Sequence, residues 1–247
     1  MATVFITGGN RGIGLGLVKQ FLKDLRITHL IASTRNIETT KELTAIPDNR
    51  LHVVELDISS DESIKNVVPK VEKILDSKPL DILINNSGIH NRYRLDGPID
   101  RRKALQHFDV NAVGVMITIQ AFLPFIRANP RGVKIVNISS TAGSIERSLG
   151  QNGDLAITPY AMSKSALNQL TRTVALDLKD TPSIVTSFCP GWVKTNLGTE
   201  AADLTVEESV QILVDSINKL EKKHSGGFYE RNLAPNLIVS NMLFDFY

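Results

Sequence analysis

Residues 4–14 read Val-Phe-Ile-Thr-Gly-Gly-Asn-Arg-Gly-Ile-Gly, an apolar run that ends in a glycine-rich turn. Glycine lacks a Cβ, so such a turn can be tight and can bring the backbone close to a diphosphate. A helical pattern over 13–25 follows, and a helix there would offer free N–H groups and a positive dipole end to that anion. The pattern is neither G-x-G-x-x-G, because Leu17 replaces the last glycine, nor a P-loop. It predicts a nucleotide-phosphate turn, the alternative being a turn without a ligand.

Short apolar runs alternate with helical patterns along the rest of the chain. The predicted strands are 3–7, 30–34, 51–56, 80–85, 134–138 and 184–188, and the main predicted helices are 13–25, 61–75, 102–127 and 159–178. This alternation is typical of βαβ units. We therefore predict an α/β fold, a Rossmann-like doubly wound parallel β-sheet with helices on both faces. No repeat or linker divides the 247 residues, so we expect a single domain over 1–247.

Composition narrows the classes of partner. The chain has 28 basic and 26 acidic residues, a net charge of +2 that gives no support for nucleic acid or an anionic membrane as partner. The single cysteine, Cys189, excludes an intramolecular disulfide and a cysteine-rich metal site, and we predict no metal. No apolar run approaches about 18 residues, so no transmembrane helix is expected. The N-terminus has no signal-like segment, and we expect a cytoplasmic protein.

The residues after the second predicted strand indicate which nicotinamide cofactor fits. A NAD site usually places Asp or Glu there to accept from the ribose 2′-hydroxyl. This chain has Arg35 and Asn36 instead, and Arg11 lies in the glycine turn. Guanidinium groups suit a 2′-phosphate, so the sequence favours NADP(H) over NAD(H). The alternative is that both arginines are ordinary exposed loop residues.

Taken in order, these motifs resemble the single-domain form of the short-chain dehydrogenase/reductase family over nearly the whole chain. The resemblance implies that the Asp57 side chain contacts the adenine amino group, a role that capping of the next turn could replace or accompany. Residues 85–88, Asn-Asn-Ser-Gly, resemble the family's Asn-Asn-Ala-Gly segment beneath the adenosine ribose. The residues expected to bind the cofactor are Gly8, Asn10, Arg11, Gly12, Ile13, Gly14, Arg35, Asn36, Asp57, Ile58, Asn86, Ser87, Gly88, Tyr160, Lys164, Pro190, Gly191, Val193 and Thr195.

Four positions resemble the family's catalytic tetrad, namely Asn111, Ser140, Tyr160 and Lys164. Ser140 is chosen over Ser139 because it lies three residues before a glycine. Tyr160 and Lys164 are four residues apart, so on a helix they share a face, and Thr158 with a following proline predicts the start of that helix. Tyr160 is the only tyrosine with this spacing to lysine. For Tyr160 alone, packing on the sheet is the alternative.

The chemistry of carbonyl reduction needs these residue types. A free tyrosine has a pKa near 10, and a neighbouring Lys164 ammonium together with an oxidised nicotinamide cation would favour the phenolate and lower that pKa. Tyr160 would then be the general acid, and Ser140 would polarise the carbonyl oxygen. Lys164 would hold the ribose hydroxyls. By resemblance, Asn111 would distort its helix and hold a water that links Lys164 to solvent.

The segment after the sixth predicted strand reads Cys-Pro-Gly-Trp-Val-Lys-Thr over 189–195 and resembles the family's Pro-Gly-x-Val-x-Thr. Pro190 and Gly191 would bend the chain over the nicotinamide, and Val193 and Thr195 would bind its carboxamide. Cys189 is interpreted as a small buried residue. Trp192 is either an aromatic wall of the substrate pocket, beside Ser140 and Tyr160, or a packing residue.

Two segments depart from the family pattern. The stretch between Ser140 and Tyr160 is longer than usual, and 150–155 is expected to form a loop over the site. The tail over 232–247 is unusually apolar, so it would cover the pocket or pack on a partner.

The combination resembles carbonyl reductases of the sniffer type and bacterial C-factor proteins. The leading prediction is an NADPH-dependent reductase of small aldehydes, ketones or quinones. The alternatives are an NADP-linked alcohol or hydroxysteroid dehydrogenase and a non-catalytic, cofactor-bound sensor. By family resemblance, the chain would form a homodimer through helices 102–127 and 159–178.

Overall fold

Seven strands form one parallel sheet in the order β3-β2-β1-β4-β5-β6-β7. The structure is a computed structural model that describes residues 1–146 and 156–233. The strands are β1 (Ala2–Ile6), β2 (Ile27–Thr34), β3 (Leu51–Glu55), β4 (Ile82–Asn85), β5 (Lys134–Ile138), β6 (Ile184–Cys189) and β7 (Phe228–Glu230). The predicted strands are confirmed, with ends shifted by up to three residues.

Helices connect the strands and lie on both faces of the sheet. They are α1 (Gly12–Leu22), α2 (Lys41–Thr44), α3 (Asp61–Leu75), α4 (Arg101–Phe108), α5 (Gly114–Ala128), α6 (Thr158–Asp177) and α7 (Val206–Asn218). A π-helical segment, Asp109–Val113, joins α4 to α5, and short 3-10 turns lie at Thr141–Gly143 and Lys222–His224. The predicted Rossmann-like, doubly wound fold is confirmed.

The alternation of side chains along β1 divides the core into two layers. Val4 and Ile6 point to one face, where they pack with residues of α1 and α7. Phe5 points to the other face and packs with residues of α3 and α5, its ring 4.8 Å from that of Phe122. Successive side chains of a strand alternate between faces, so a strand with both faces covered is apolar throughout.

The strand order reverses between β1 and β4. From β1 the chain adds β2 and β3 on one side and then crosses to the other side to form β4. Ligands of open α/β sheets bind at the carboxyl edge near such a switch point. The loops that follow β1 to β6 all reach this edge, and they carry most of the predicted site residues.

The stretch predicted as one helix over 102–127 is continuous but not uniformly α-helical. Within it the amide of Gly114 bonds to the carbonyl of Asp109, an i to i+5 bond that defines the π-helical turn. By length and composition alone, the helical stretch Arg101–Ala128 could cross a membrane, although no transmembrane helix was predicted from the sequence. In this fold its apolar side packs into the core through Val115, Ile119 and Ile126.

Three other predictions differ from the structure or fall largely outside the described residues. The helix α6 starts one residue earlier than predicted: Ile157 is its N-cap and Thr158 its first residue, so the proline falls at the second position. The expected loop over 150–155 lies outside the described residues. Of the apolar tail, only Asn232 and Leu233 are described, and Leu233 packs against the core.

Candidate active site

The glycine turn after β1 has the geometry that its sequence predicts. Gly8 and Gly12 have φ values of +65° and +53°, which favour glycine. A Cβ on Gly14 would collide with the carbonyl oxygen of Gly8, so this glycine lets α1 approach the turn closely. A Cβ on Gly8 would lie 2.8 Å from the Ser87 hydroxyl. The turn is therefore a tight backbone cradle that packs closely against α1 and the loop after β4.

Helix α1 presents an uncapped N-terminus to this cradle. Arg11 is the N-cap residue, in an extended conformation with no side-chain cap, and the first turn has no acidic residue. The first N–H groups of a helix need external acceptors, and an anion meets that need. Asn10 and Ile13 flank the turn and are half-buried.

The loop after β2 places a second arginine at the same edge. The Asn36 carboxamide oxygen accepts from the Glu38 amide at 2.8 Å, and its carbonyl accepts from the Thr40 hydroxyl at 2.7 Å. These bonds shape the loop and leave Arg35 exposed. Within residues 1–146 and 156–233, neither Arg35 nor Arg11 has an ion pair. Both guanidinium groups are therefore available to an external phosphate.

Asp57 and Ile58 follow β3. The Asp57 carboxylate accepts from the amide and the hydroxyl of Ser59 at 3.0 and 2.7 Å, and the Asp57 amide donates to Ser63 at 2.9 Å. The turn-capping alternative for Asp57 is therefore realised in the structure. Ile58 is buried, and its carbonyl packs against Gly114 at the start of α5.

The segment after β4 is tied to the glycine turn by four hydrogen bonds. The Asn86 carboxamide donates to the carbonyls of Thr7 and Gly8 at 2.9 and 3.0 Å. In return the Thr7 hydroxyl accepts the amides of Asn86 and Ser87 at 2.9 and 3.0 Å. These bonds fix the two loops that flank the switch point before any ligand binds.

Asn111 lies in the middle of the π-helical segment and is fully buried. The structure thus contains the helix distortion that the resemblance implied. Its side chain accepts from the Ile89 amide at 2.8 Å and donates to the Ile89 carbonyl and the Ser163 hydroxyl at 2.9 and 3.0 Å. The carboxamide therefore joins α6 to the loop after β4.

Ser140 and Tyr160 meet at the end of β5. Ser140 starts the 3-10 turn, where its hydroxyl accepts from the Ala142 amide at 3.2 Å, and it is hydrogen-bonded to the Tyr160 side chain. Burial raises the pKa of Tyr160 to about 12, and the bond with Ser140 opposes this shift. In the chain by itself, desolvation of the phenolate outweighs the other contributions. The expected lowering of this pKa includes the charge of an oxidised nicotinamide and stays a prediction.

Lys164 lies one helical turn after Tyr160. Its Nζ donates to the carbonyl of Ile138 at 2.7 Å and lies 5.8 Å from the centroid of the Tyr160 ring. The side chain is buried, and this burial lowers its pKa to about 8. The ammonium therefore has a fixed position near the phenol.

Gly88 lies close to both Asn111 and Lys164. A Cβ on Gly88 would lie 3.2 Å from Asn111 Oδ1 and 3.6 Å from Lys164 Nζ. The Asn111 carboxamide and the Lys164 ammonium therefore both lie close to the backbone of Gly88. The water-mediated link that the resemblance implied stays a prediction.

The loop after β6 closes the site from the other side. The Ser209 hydroxyl of α7 donates to the Pro190 carbonyl at 2.8 Å, and Gly191 has a φ of +84°. Val193 pairs with Leu204 in an isolated bridge. A Cβ on Gly12 would lie 3.2 Å from the Cγ2 atom of Thr195. The loop is therefore held against the glycine turn.

Within that loop, the Thr195 hydroxyl accepts from the Gly198 amide at 3.0 Å. Trp192 is 39% exposed and makes no ring contact with another aromatic residue in the described part of the chain. Cys189 is buried, as expected, and burial raises the pKa of its thiol. The same ranges contain no group of three or more metal-ligating side chains.

Sequence reasoning missed three residues at this site. His90 contacts the Tyr160 ring with a centroid separation of 4.6 Å. Ser163 bonds to Asn111 and to the Tyr160 carbonyl, and Thr7 holds the loop after β4. The place of His90, two residues beyond the Asn-Asn-Ser-Gly segment, was the one available signal. The Ser163–Asn111 and Thr7–Asn86 contacts join residues far apart in sequence.

Comparison with known proteins shows which family this chain belongs to. Residues 2–205 match the family of short chain dehydrogenases. The chain is 33% identical to the carbonyl reductase Sniffer of D. melanogaster, with a TM-score of 0.86 over 94% of this chain and 97% of that one. It is 31% identical to an NADPH-bound carbonyl reductase from chicken fatty liver, with a TM-score of 0.89 over 94% and 96%. An uncharacterized oxidoreductase of Schizosaccharomyces pombe is 34% identical over 97% of this chain and 87% of its own length.

Proposed function

Since this chain belongs to the short chain dehydrogenase family, we propose that it is an oxidoreductase that transfers a hydride from NADPH to a small carbonyl compound. Aldehydes, ketones and quinones are the substrate class. The observation that carries this proposal is the Tyr160 phenol, hydrogen-bonded to Ser140 with the Lys164 ammonium close by. Two similar proteins, the D. melanogaster and chicken carbonyl reductases, support it.

The residues at the carboxyl edge fit NADP(H). The tight glycine turn and the uncapped α1 N-terminus suit the diphosphate. Asp57 and residues 86–88 form the adenosine side, and residues 190–195 form the nicotinamide side. When bound, the cofactor supplies the hydride.

The two unpaired arginines favour NADP(H) over NAD(H). Arg11 and Arg35 are exposed, and the loop after β2 carries no carboxylate at the position that would accept from a ribose hydroxyl. A 2′-phosphate would receive charge-assisted hydrogen bonds from both guanidinium groups.

Tyr160 is the proton donor in this proposal. Because its pKa is raised to about 12, the phenol is neutral at pH 7 and carries the proton that the carbonyl oxygen needs on reduction. The Ser140 hydroxyl donates to the same oxygen, where negative charge develops. Trp192 and His90 line the approach to this pair.

Lys164 and Asn111 resupply that proton. The Lys164 ammonium, fixed on the Ile138 carbonyl, lies near the phenol and would hold the ribose hydroxyls. In this proposal a water between Lys164 and Asn111 returns a proton to Tyr160 from solvent.

The same residues would catalyse the reverse reaction, with the Tyr160 phenolate as base in the oxidation of an alcohol. An NADP-linked alcohol or hydroxysteroid dehydrogenase is therefore the alternative function for this site. A non-catalytic sensor would have no use for a phenol, a hydroxyl and an ammonium so arranged.

The first experiment incubates the purified protein with NADPH and a panel of reactive carbonyls such as phenanthrenequinone and isatin. Turnover is followed as loss of nicotinamide absorbance. We expect activity in the wild type, none in Tyr160→Phe, and unchanged activity in the control Tyr229→Phe, which alters a buried tyrosine of β7. Tight NADPH binding without turnover of any carbonyl would favour the sensor.

Assembly and location are part of the same proposal. We propose a single NADP-binding domain over 1–247 that forms a cytoplasmic homodimer. Exposed apolar side chains on the two predicted dimer helices support this, among them Met116, Met162 and Leu176. Light scattering tests it: we expect a dimer that Met116→Glu with Leu176→Glu converts to a monomer. Neither nucleic acid nor membrane is proposed as a partner.

A further inference from the structure

His90 contacts the Tyr160 ring and has no chemical role in the proposed mechanism. The two ring centroids are 4.6 Å apart and the planes are tilted by 44°, a favourable geometry for an aromatic pair. Lys164 Nζ is farther away, 5.8 Å from the Tyr160 ring centroid. The imidazole is therefore in direct packing contact with the phenol ring.

The backbone on each side of His90 is held by a buried polar side chain. The Asn111 side chain accepts a hydrogen bond from the Ile89 amide at 2.8 Å and donates one to the Ile89 carbonyl at 2.9 Å. His107 accepts the amide of Asn91 through Nε2 at 3.0 Å. His107 is fully buried, and its Nδ1 donates to the Lys103 carbonyl at 2.9 Å. Two anchors from one helical stretch thus fix the residue between them.

The hydrogen bonds on both sides of His90 lie within the short segment 89–91. Loops at the edge of a sheet are usually its most mobile parts. Here residues 89 and 91 are bonded to side chains that cannot move without breaking buried hydrogen bonds. A rigid backbone at both neighbours gives the His90 ring a defined place from which to restrain the Tyr160 ring.

We propose that His90 is a positioning residue for Tyr160, holding the phenol in the orientation that meets Ser140 and shielding it from water. This inference rests on the proposed function. It assigns the effect to the ring of His90 as a flat surface and not to its nitrogen atoms. A small misplacement of a proton donor costs one to two orders of magnitude in rate, so the effect is measurable.

The test compares His90→Ala, which removes the ring, with His90→Phe, which keeps one. We expect kcat to fall about tenfold or more in His90→Ala and to return to within about threefold of wild type in His90→Phe. The Kd for NADPH and the thermal unfolding midpoint should be unchanged in both. The matched control is His224→Ala, since His224 contacts another tyrosine, Tyr229, outside the site.

Three outcomes would overturn the proposal. One is a kcat of His90→Ala equal to that of the wild type. Another is a His90→Phe variant as slow as His90→Ala, which would assign the effect to the imidazole nitrogens. The third is a parallel fall in NADPH affinity or thermal stability, which would indicate general damage to the fold.

A second readout needs no turnover and so separates this inference from the proposed function. The ionisation of Tyr160 can be followed by phenolate absorbance as the difference from Tyr160→Phe. We expect His90→Ala to lower the pKa of Tyr160 from about 12, because water would reach the phenol. An unchanged titration would overturn the shielding role even if no carbonyl were reduced.

Discussion

The Nζ atom of Lys164 donates a hydrogen bond of 2.7 Å to the carbonyl oxygen of Ile138. The bond joins the middle of a helix to the last residue of β5 and keeps the ammonium inside the protein. A lysine that depended on a bound ligand for its position would swing to solvent when the ligand left. Here the protein itself supplies the acceptor, so the position of the Lys164 ammonium is set before any ligand binds.

This burial gives a pH dependence of stability. The pKa of Lys164 is lowered from 10.5 to about 8, so between these values the unfolded chain binds more protons than the folded chain. The free energy of unfolding then rises with pH across that window. Relative to Lys164→Met, we expect the wild type to gain about 2 kcal/mol between pH 7.5 and 9.5. Urea unfolding at both pH values measures it; a flat difference would contradict the lowered pKa.

Gly88→Ala tests the proposed water link between Lys164 and Asn111. Gly88 does not have a positive φ, so alanine is tolerated by the backbone, but its methyl would lie 3.2 Å from Asn111 Oδ1. We expect kcat for carbonyl reduction at saturating NADPH to fall about tenfold, since loss of a proton path slows the proton step, and the Kd for NADPH is measured alongside because Gly88 also belongs to the proposed adenosine side. Gly97→Ala is the control, and equal activity in both variants would exclude a proton path there.

Ser163→Ala should destabilise the protein more than its neighbour Ser165→Ala. The Ser163 hydroxyl accepts from Asn111 and donates to the Tyr160 carbonyl, and both Ser163 and Asn111 are fully buried. Removing it leaves a buried N–H without an acceptor, at about 1–3 kcal/mol. Ser165 is only half-buried, so water can replace its hydroxyl. Equal free energies of unfolding for the two variants would contradict this account.

Arg35→Asp should reverse the cofactor preference. The substitution replaces an exposed guanidinium with a carboxylate that can accept from a ribose hydroxyl and repels a phosphate. We expect the Kd for NADPH to rise at least about tenfold and that for NADH to fall. Fluorescence titration with both cofactors measures this, with Arg102→Asp as an exposed control. An unchanged ratio of the two constants would show that Arg35 does not contact the phosphate.

The sequence predicted the fold well because each element carries a local signal. The apolar run of β1, the glycine turn and the helical spacing of α3 follow from residues adjacent in the chain. Residues identified by family motifs also came to the same edge of the sheet, since every loop after β1 to β6 ends there. Their roles in binding and catalysis stay predictions until the experiments above are done.

What the sequence did not predict depends on contacts between distant residues. Asn111 and Ser163 are 52 residues apart, and Thr7 and Asn86 are 79 apart. No periodicity indicates which partner a polar side chain will find at such distances. The raised pKa of Tyr160 in the chain by itself could not be predicted for the same reason. Its direction depends on how many residues remove water from the phenol, and that number follows only from the packed structure.

The π-helical turn at Asp109–Val113 bears on how this site tolerates insertions and deletions. A π-helical turn corresponds to an α-helix that has accommodated one additional residue. Loss of a single residue between Asp109 and Val113 would restore an uninterrupted α-helix from Arg101 to Ala128. It would also rotate the flanking turns by about 100° relative to each other and take the Asn111 side chain away from Ile89. A one-residue deletion that most surface helices would survive would therefore disconnect the proton-return group while sparing the sheet.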